Sequence, residues 1–150
     1  TTEIYTLSLH DALPILSDWS EEAASRLHTY GKYVGLAFQV VDDILDFTAS
    51  SDVLGKPAGS DLRSGHLTAP VLYAMEEKPQ LKPLIEREFA EEGDIEAALD
   101  MVRDSSGIER SRKMANEQID YAIEHLSDLP ASEFREVLES SARYVVSRLY

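Results

Sequence analysis

Between Pro14 and Pro57 the chain runs without a proline, and inside that run residues 38–47 read FQVVDDILDF. A proline-free segment opening on Ser20, Glu21 and Glu22, a helix start with acids in its first turn, predicts one helix from about Ser20 to Phe47. That helix carries Asp42, Asp43 and Asp46 among Phe38, Val40, Val41, Ile44, Leu45 and Phe47, so the carboxylates are expected beside a core. Residues i and i+4 share a helix face. Asp42 and Asp46 therefore project together, Asp43 lies about 100 degrees round, and Gln39 stands one turn before Asp43, a spacing that makes a carboxylate cluster. Like charges at this spacing cost about 0.2–0.5 kcal/mol, and aspartate is a poor helix former besides. Something outside the helix has to offset that.

The nearest basic residues are Lys32, earlier on the same helix, and Lys56 in the segment beyond it. A divalent cation fits better. Magnesium takes oxygen ligands, keeps several waters and is usually held by one or two carboxylates together with substrate phosphates. Asp42 and Asp46 supply such an incomplete set and leave room for a phosphorylated ligand. The EF-hand loop signature is absent, and none of the four histidines follows a glutamate by three residues, which disfavours a di-iron bundle. The plainer reading is a solvated helix face on which aspartates happen to gather.

The formal charge of −14 repels polyanions, so nucleic acid is not an expected partner, and it favours divalent cations. With no cysteine, disulfides and thiolate zinc sites are excluded. No apolar run is long enough to cross a membrane. A chain of 150 residues that is 43% hydrophobic has material for one core.

Beyond the first helix, TASSDVLGKPAGSDLRSGHLTAP holds Gly55, Pro57, Gly59, Gly65 and Pro70, the marks of a long loop. Apolar-periodic segments follow at about Ala69–Glu76, Pro79–Ala90, Ile95–Val102, Ile108–Leu129 and Ala131–Leu149, without strand-like alternation or a repeat. The class is all-α. The loop brings Lys56, Arg63 and His66 on flexible glycines, and an acidic, metal-holding helix followed by a basic loop suits a diphosphate. Gly31 and Gly35, four apart, let another backbone approach. Tyr30, Tyr33, Phe38 and Phe47 fit core or cavity lining, mostly core, the later acidic runs read as solvated surface, and His28 and His125 as helix surface. The first 15 residues, TTEIYTLSLHDALPI, resemble a sequencing-adapter stretch translated in frame with a gene. Residues 1–15 are therefore treated as non-native and residues 16–150 as part of one domain.

Taken in order, aromatic-Gln, two residues, Asp-Asp-x-x-Asp, then Gly-Lys, a Gly-x-Asp-Leu turn and a Leu-Thr-x-Pro helix start, the stretch YGKYVGLAFQVVDDILDFTASSDVLGKPAGSDLRSGHLTAPVLYAM resembles the second aspartate-rich region of the trans-type polyprenyl diphosphate synthases. The wording GKPAGSDL and LTAPV is most similar to solanesyl-type synthases of plants and cyanobacteria. The resemblance implies an all-helical bundle of the isoprenoid synthase type around a central cavity, incomplete at its N-terminus here. It also implies a prenyltransferase that condenses isopentenyl diphosphate with an allylic diphosphate. In that family Mg2+ bridges the allylic diphosphate to two DDxxD motifs and neutralises it as it leaves, in a cavity dry enough to protect a cation.

By resemblance the metal ligands are Asp42, Asp43 and Asp46, and the diphosphate contacts are Gln39 and Lys56. A homodimer is implied, and a plastid or cytoplasmic location. Where many relatives carry a second lysine this chain has His66. The first DDxxD motif is missing, residues 42–46 being the one match in the sequence. The chain is therefore expected to be a C-terminal part, inactive alone. Two other readings stand beside it: a non-catalytic helical partner subunit of a complete synthase, and an acidic helical interaction module.

Overall fold

A computed structural model describes residues 20–49, 58–127 and 129–149. Among them are seven helices and no strand: α1 (Glu21–Thr48), α2 (Ser60–Arg63), α3 (Ala69–Glu77), α4 (Leu81–Glu86), α5 (Asp94–Arg103), α6 (Gly107–Leu126) and α7 (Glu133–Ser147). The all-α expectation holds. The long first helix also ends within a residue of its predicted limits, because its start is written locally. The Ser20 hydroxyl accepts the Ala23 N–H at 3.2 Å, Glu21 and Glu22 lie where the helix dipole favours acids, and Arg26 pairs with Glu22 one turn back at 3.1 Å.

The described residues fall into two compact units. One combines the first part of α1, through Gln39, with α6 from Met114 onward and α7. Its buried positions include Leu27, Tyr30 and Ala37 on α1, Ala115, Ile119, Ala122 and Leu126 on α6, and Ala142, Val145 and Val146 on α7, each set at helical spacing. Tyr30 links α1 to α7 by donating its hydroxyl to the Leu138 carbonyl at 2.9 Å. Tyr33 links α1 to α6, its ring 5.7 Å from those of Tyr121 and His125. Phe38, read as core or cavity lining, is 47% exposed, and the Arg148 guanidinium covers its ring at 5.0 Å. The sequence pattern could not separate it from Phe47, since both flank the aspartates.

The other unit runs from Val40 to Lys113, with Leu149. Phe47 at the end of α1 packs with Leu62 of α2, Val71 and Ala74 of α3, Leu81 and Leu84 of α4, and Ala98, Leu99 and Val102 of α5 in one apolar cluster. The segment after α1 is thus not a plain loop. Residues 60–63 form a helical turn whose Leu62 is fully buried. The Pro79–Ala90 segment is shorter than its pattern, since Glu88 and Phe89 take φ of 54° and 56° and turn the chain out of α4. Phe89 still reaches the cluster. Here tertiary burial of the aromatic ring prevails over continuing the helix.

Candidate functional site

The three aspartates lie on α1, and burial separates them. Asp46 is 1% exposed and Asp43 8%, whereas Asp42 is half-buried. A buried carboxylate needs donors, and for Asp46 the chain supplies one from the segment that follows α1. The Asp61 backbone N–H donates to Asp46 Oδ2 at 3.1 Å, while the Gly59 N–H donates to the Asp46 carbonyl at 2.9 Å. The Gly-Ser-Asp-Leu turn is therefore fastened to both the side chain and the main chain of one residue of the motif.

That turn exists because of Gly59. It stands before α2 with φ of 71°, in the left-handed region that glycine enters without cost. Its missing side chain also leaves space: a Cβ there would lie 2.3 Å from Leu99 Cδ2. Sequence and packing agree on the residue. Next to it, the last turn of α1 contains no basic residue, although three aspartates stand close to the negative end of the helix dipole. Arg103 of α5 supplies the cation from outside, directing its guanidinium at the Phe47 carbonyl over long contacts of 3.4 and 3.5 Å. Arg63 of α2 pairs with Glu96 of α5 at 3.0 Å, which holds the Glu96 carboxyl below its ordinary range.

Among the described residues no three acidic or histidine side chains come together as a cation site. Both Asp43, about 100 degrees round the helix, and Asp46, one turn on from Asp42, are turned into protein, at 8% and 1% exposure. Of the three only Asp42 is half-buried, with the buried Asp46 one turn on. An all-oxygen set of this kind fits a hard cation such as magnesium or calcium that completes its shell with water and phosphate, and it does not fit a closed structural site. Gln39 is exposed on α1, and His66 is exposed in the turn after α2. Lys56 lies outside the described residues, as does the segment 1–15.

Sequence reasoning missed Asp61, Gly59 and Arg103 as supports of the motif. Gly59 and Asp61 carried a readable signal in their Gly-x-Asp-Leu spacing. Arg103, more than fifty residues from α1 in sequence, carried none.

Comparison with known proteins is consistent across sequence and fold. Residues 4–102 match the family model described as polyprenyl synthetase, a range that begins inside the segment read as non-native. A prenyl transferase of Synechocystis is 54% identical over 139 residues, covering 93% of this chain and 43% of that protein. The chloroplastic solanesyl-diphosphate synthase 2 of rice, Oryza sativa, is 46% identical over 135 residues, covering 90% of this chain and 34% of that protein. In fold, the chain resembles a polyprenyl synthase from Caulobacter crescentus complexed with calcium and isoprenyl diphosphate. The TM-score is 0.73 at 34% identity, over 83% of this chain and 40% of that one. The chain thus spans less than half the length of the relatives it matches.

Proposed function

The chain belongs to the polyprenyl synthetase family, and from that premise we propose that it forms the part of a prenyltransferase that holds the metal and the allylic diphosphate. The reaction is condensation of isopentenyl diphosphate with an allylic diphosphate, giving a long, solanesyl-like polyprenyl diphosphate. One observation carries the reading: the Asp42–Asp46 motif and the Gly-Ser-Asp-Leu turn, whose Asp61 stands 15 residues beyond Asp46, are tied together through Asp46. A solvated acidic face has no need of such a tie.

In this reading Asp42 and Asp46, with Asp43 beside them, hold Mg2+, which when bound supplies the Lewis acidity that neutralises a departing diphosphate. Gln39 and Lys56 contact the diphosphate. Asp61 and Gly59 position Asp46, keeping its carboxylate in one orientation before ligand arrives. Calcium with isoprenyl diphosphate in the Caulobacter relative supports an oxygen-ligated cation. The chloroplastic rice relative supports a plastid location.

Calorimetric titration of MgCl2 into the chain, with and without inorganic diphosphate, tests the reading. Diphosphate should strengthen magnesium binding, and Asp42→Asn or Asp46→Asn should remove the effect. Equal magnesium binding with and without diphosphate would leave the acidic-module reading in its place.

A further inference from the structure

In a chain with a formal charge of −14, the cations near the aspartate motif are the informative side chains. Arg63 pairs with Glu96, and Arg103 points at the Phe47 carbonyl beyond the motif. Arg148 is placed differently. It is exposed just beyond α7, and its guanidinium lies over the Phe38 ring at 5.0 Å, within the range of a cation–π contact. The chain on either side of it is held. Val146 and Leu149 are buried, and the Leu149 carbonyl accepts from Arg112 of α6 at 2.5 Å.

Phe38 stands immediately before Gln39 and one helical turn before Asp42, and side chains four apart share a helix face. Helix α1 is continuous from Glu21 to Thr48, so the step from Phe38 to Asp42 is fixed by the helix itself. Phe38 is 47% exposed and Gln39 is exposed, so the stacked guanidinium sits on the open side of α1 and not in the core. Stacking engages the face of a guanidinium. Its N–H donors lie in the plane, in the fork that matches phosphate oxygens.

We propose that Arg148 is a diphosphate-contact residue, parked on Phe38 and donating to the phosphate oxygens that magnesium brings to Asp42, a role that rests on the metal-site reading. Electrostatics gives this role a sign that a mere tether of the chain to α1 would lack. A fixed positive charge one turn from a carboxylate opposes a second cation and favours an anion. Arg148 therefore weakens the binding of Mg2+ alone and strengthens the binding of Mg2+ with diphosphate.

Calorimetric titration of MgCl2, with and without inorganic diphosphate, into the native chain, Arg148→Gln, Arg148→Lys and Phe38→Leu tests the proposal, with circular dichroism to check that helicity survives. Arg148→Gln is expected to bind Mg2+ alone at least as tightly as the native chain, and to lose about tenfold of the gain that diphosphate confers, the scale of one charged hydrogen bond. Arg148→Lys keeps the charge without the planar fork and should recover part of that gain. Phe38→Leu removes no charge, yet should lower the gain because the cation is no longer parked. If Arg148→Gln weakens Mg2+ binding by the same factor in both titrations, or matches the native chain in both, the proposal is overturned while the metal-site reading stands. A native chain that gains nothing from diphosphate overturns that reading and the role of Arg148 with it. Should Arg148→Gln lose helix, Phe38→Leu decides by the same comparison.

Discussion

At Gly59 two separate demands meet on one residue. Its φ of 71° costs a side-chain-bearing residue about 1–2 kcal/mol, and a Cβ placed 2.3 Å from Leu99 Cδ2 forces a shift in the core worth about 1–3 kcal/mol more. Gly59→Ala is expected to lower stability in urea by about 2–4 kcal/mol, and adding Leu99→Ala should not relieve the backbone share. Asp94 shows a different residue-scale effect. It was read from sequence as part of a solvated acidic run, yet it is 5% exposed and bidentate to Arg87, at 2.7 and 2.5 Å. The hydrogen bond from Arg87 holds its carboxyl below the ordinary aspartate value, and the Glu91 N–H adds to this. A folded-state value below the unfolded one means the contribution is complete above the unfolded value and is lost as pH falls through the folded one. The stability gap between the native chain and Asp94→Asn should therefore be constant from neutral pH to about pH 4 and close below it, as read from denaturant midpoints across an acid series. Pattern could not reveal this pair, because Arg87 and Asp94 meet only when Glu88 and Phe89 turn the chain back.

Element boundaries were legible wherever a start signal is local. Ser20 and Ser132 each accept an N–H from three residues on, at 3.2 Å, and α1 and α7 begin there as their sequences suggest. The turn helix α2 was not legible, because four residues carry too little periodicity and its existence depends on Leu62 entering the cluster. The closeness of α6 to α3 was equally hidden: a Cβ on Gly107 would lie 2.3 Å from the Pro70 carbonyl oxygen. The link between α1 and α7 gives the clearest element-scale prediction. Burial pushes the Tyr30 phenol up to about 12, and its hydroxyl donates to Leu138. Tyr30→Phe removes that bond and should cost about 0.5–1.5 kcal/mol at neutral pH. The native chain keeps the neutral phenol's contribution below the ordinary value of 10.0 and loses it as pH rises through about 12. Alkaline unfolding followed by circular dichroism should therefore bring native and Tyr30→Phe stabilities together above pH 10, since phenylalanine has no proton to lose.

At the scale of the whole molecule, a single aspartate motif sets what the chain can accomplish. Prenyl transfer on the proposed reading needs a departing diphosphate neutralised from more than one side and a cation kept from water. The sequence provides one Asp-Asp-x-x-Asp, on α1. Leu36 and Phe38, which precede it on the same helix, are 45% and 47% exposed. Binding and turnover should then separate. The chain is expected to bind Mg2+ in the presence of diphosphate through Asp42 and Asp46, yet to release no diphosphate and form no longer prenyl chain when given isopentenyl diphosphate, an allylic diphosphate and magnesium. Radiolabelled isopentenyl diphosphate extracted into an organic phase measures this directly. Product that scales with the amount of chain would show that one motif suffices, and would refute the expectation of inactivity while leaving the metal assignment standing. Product from Asp46→Asn at the native rate would remove the metal assignment as well, since then the tie between α1 and its following turn would serve the fold alone.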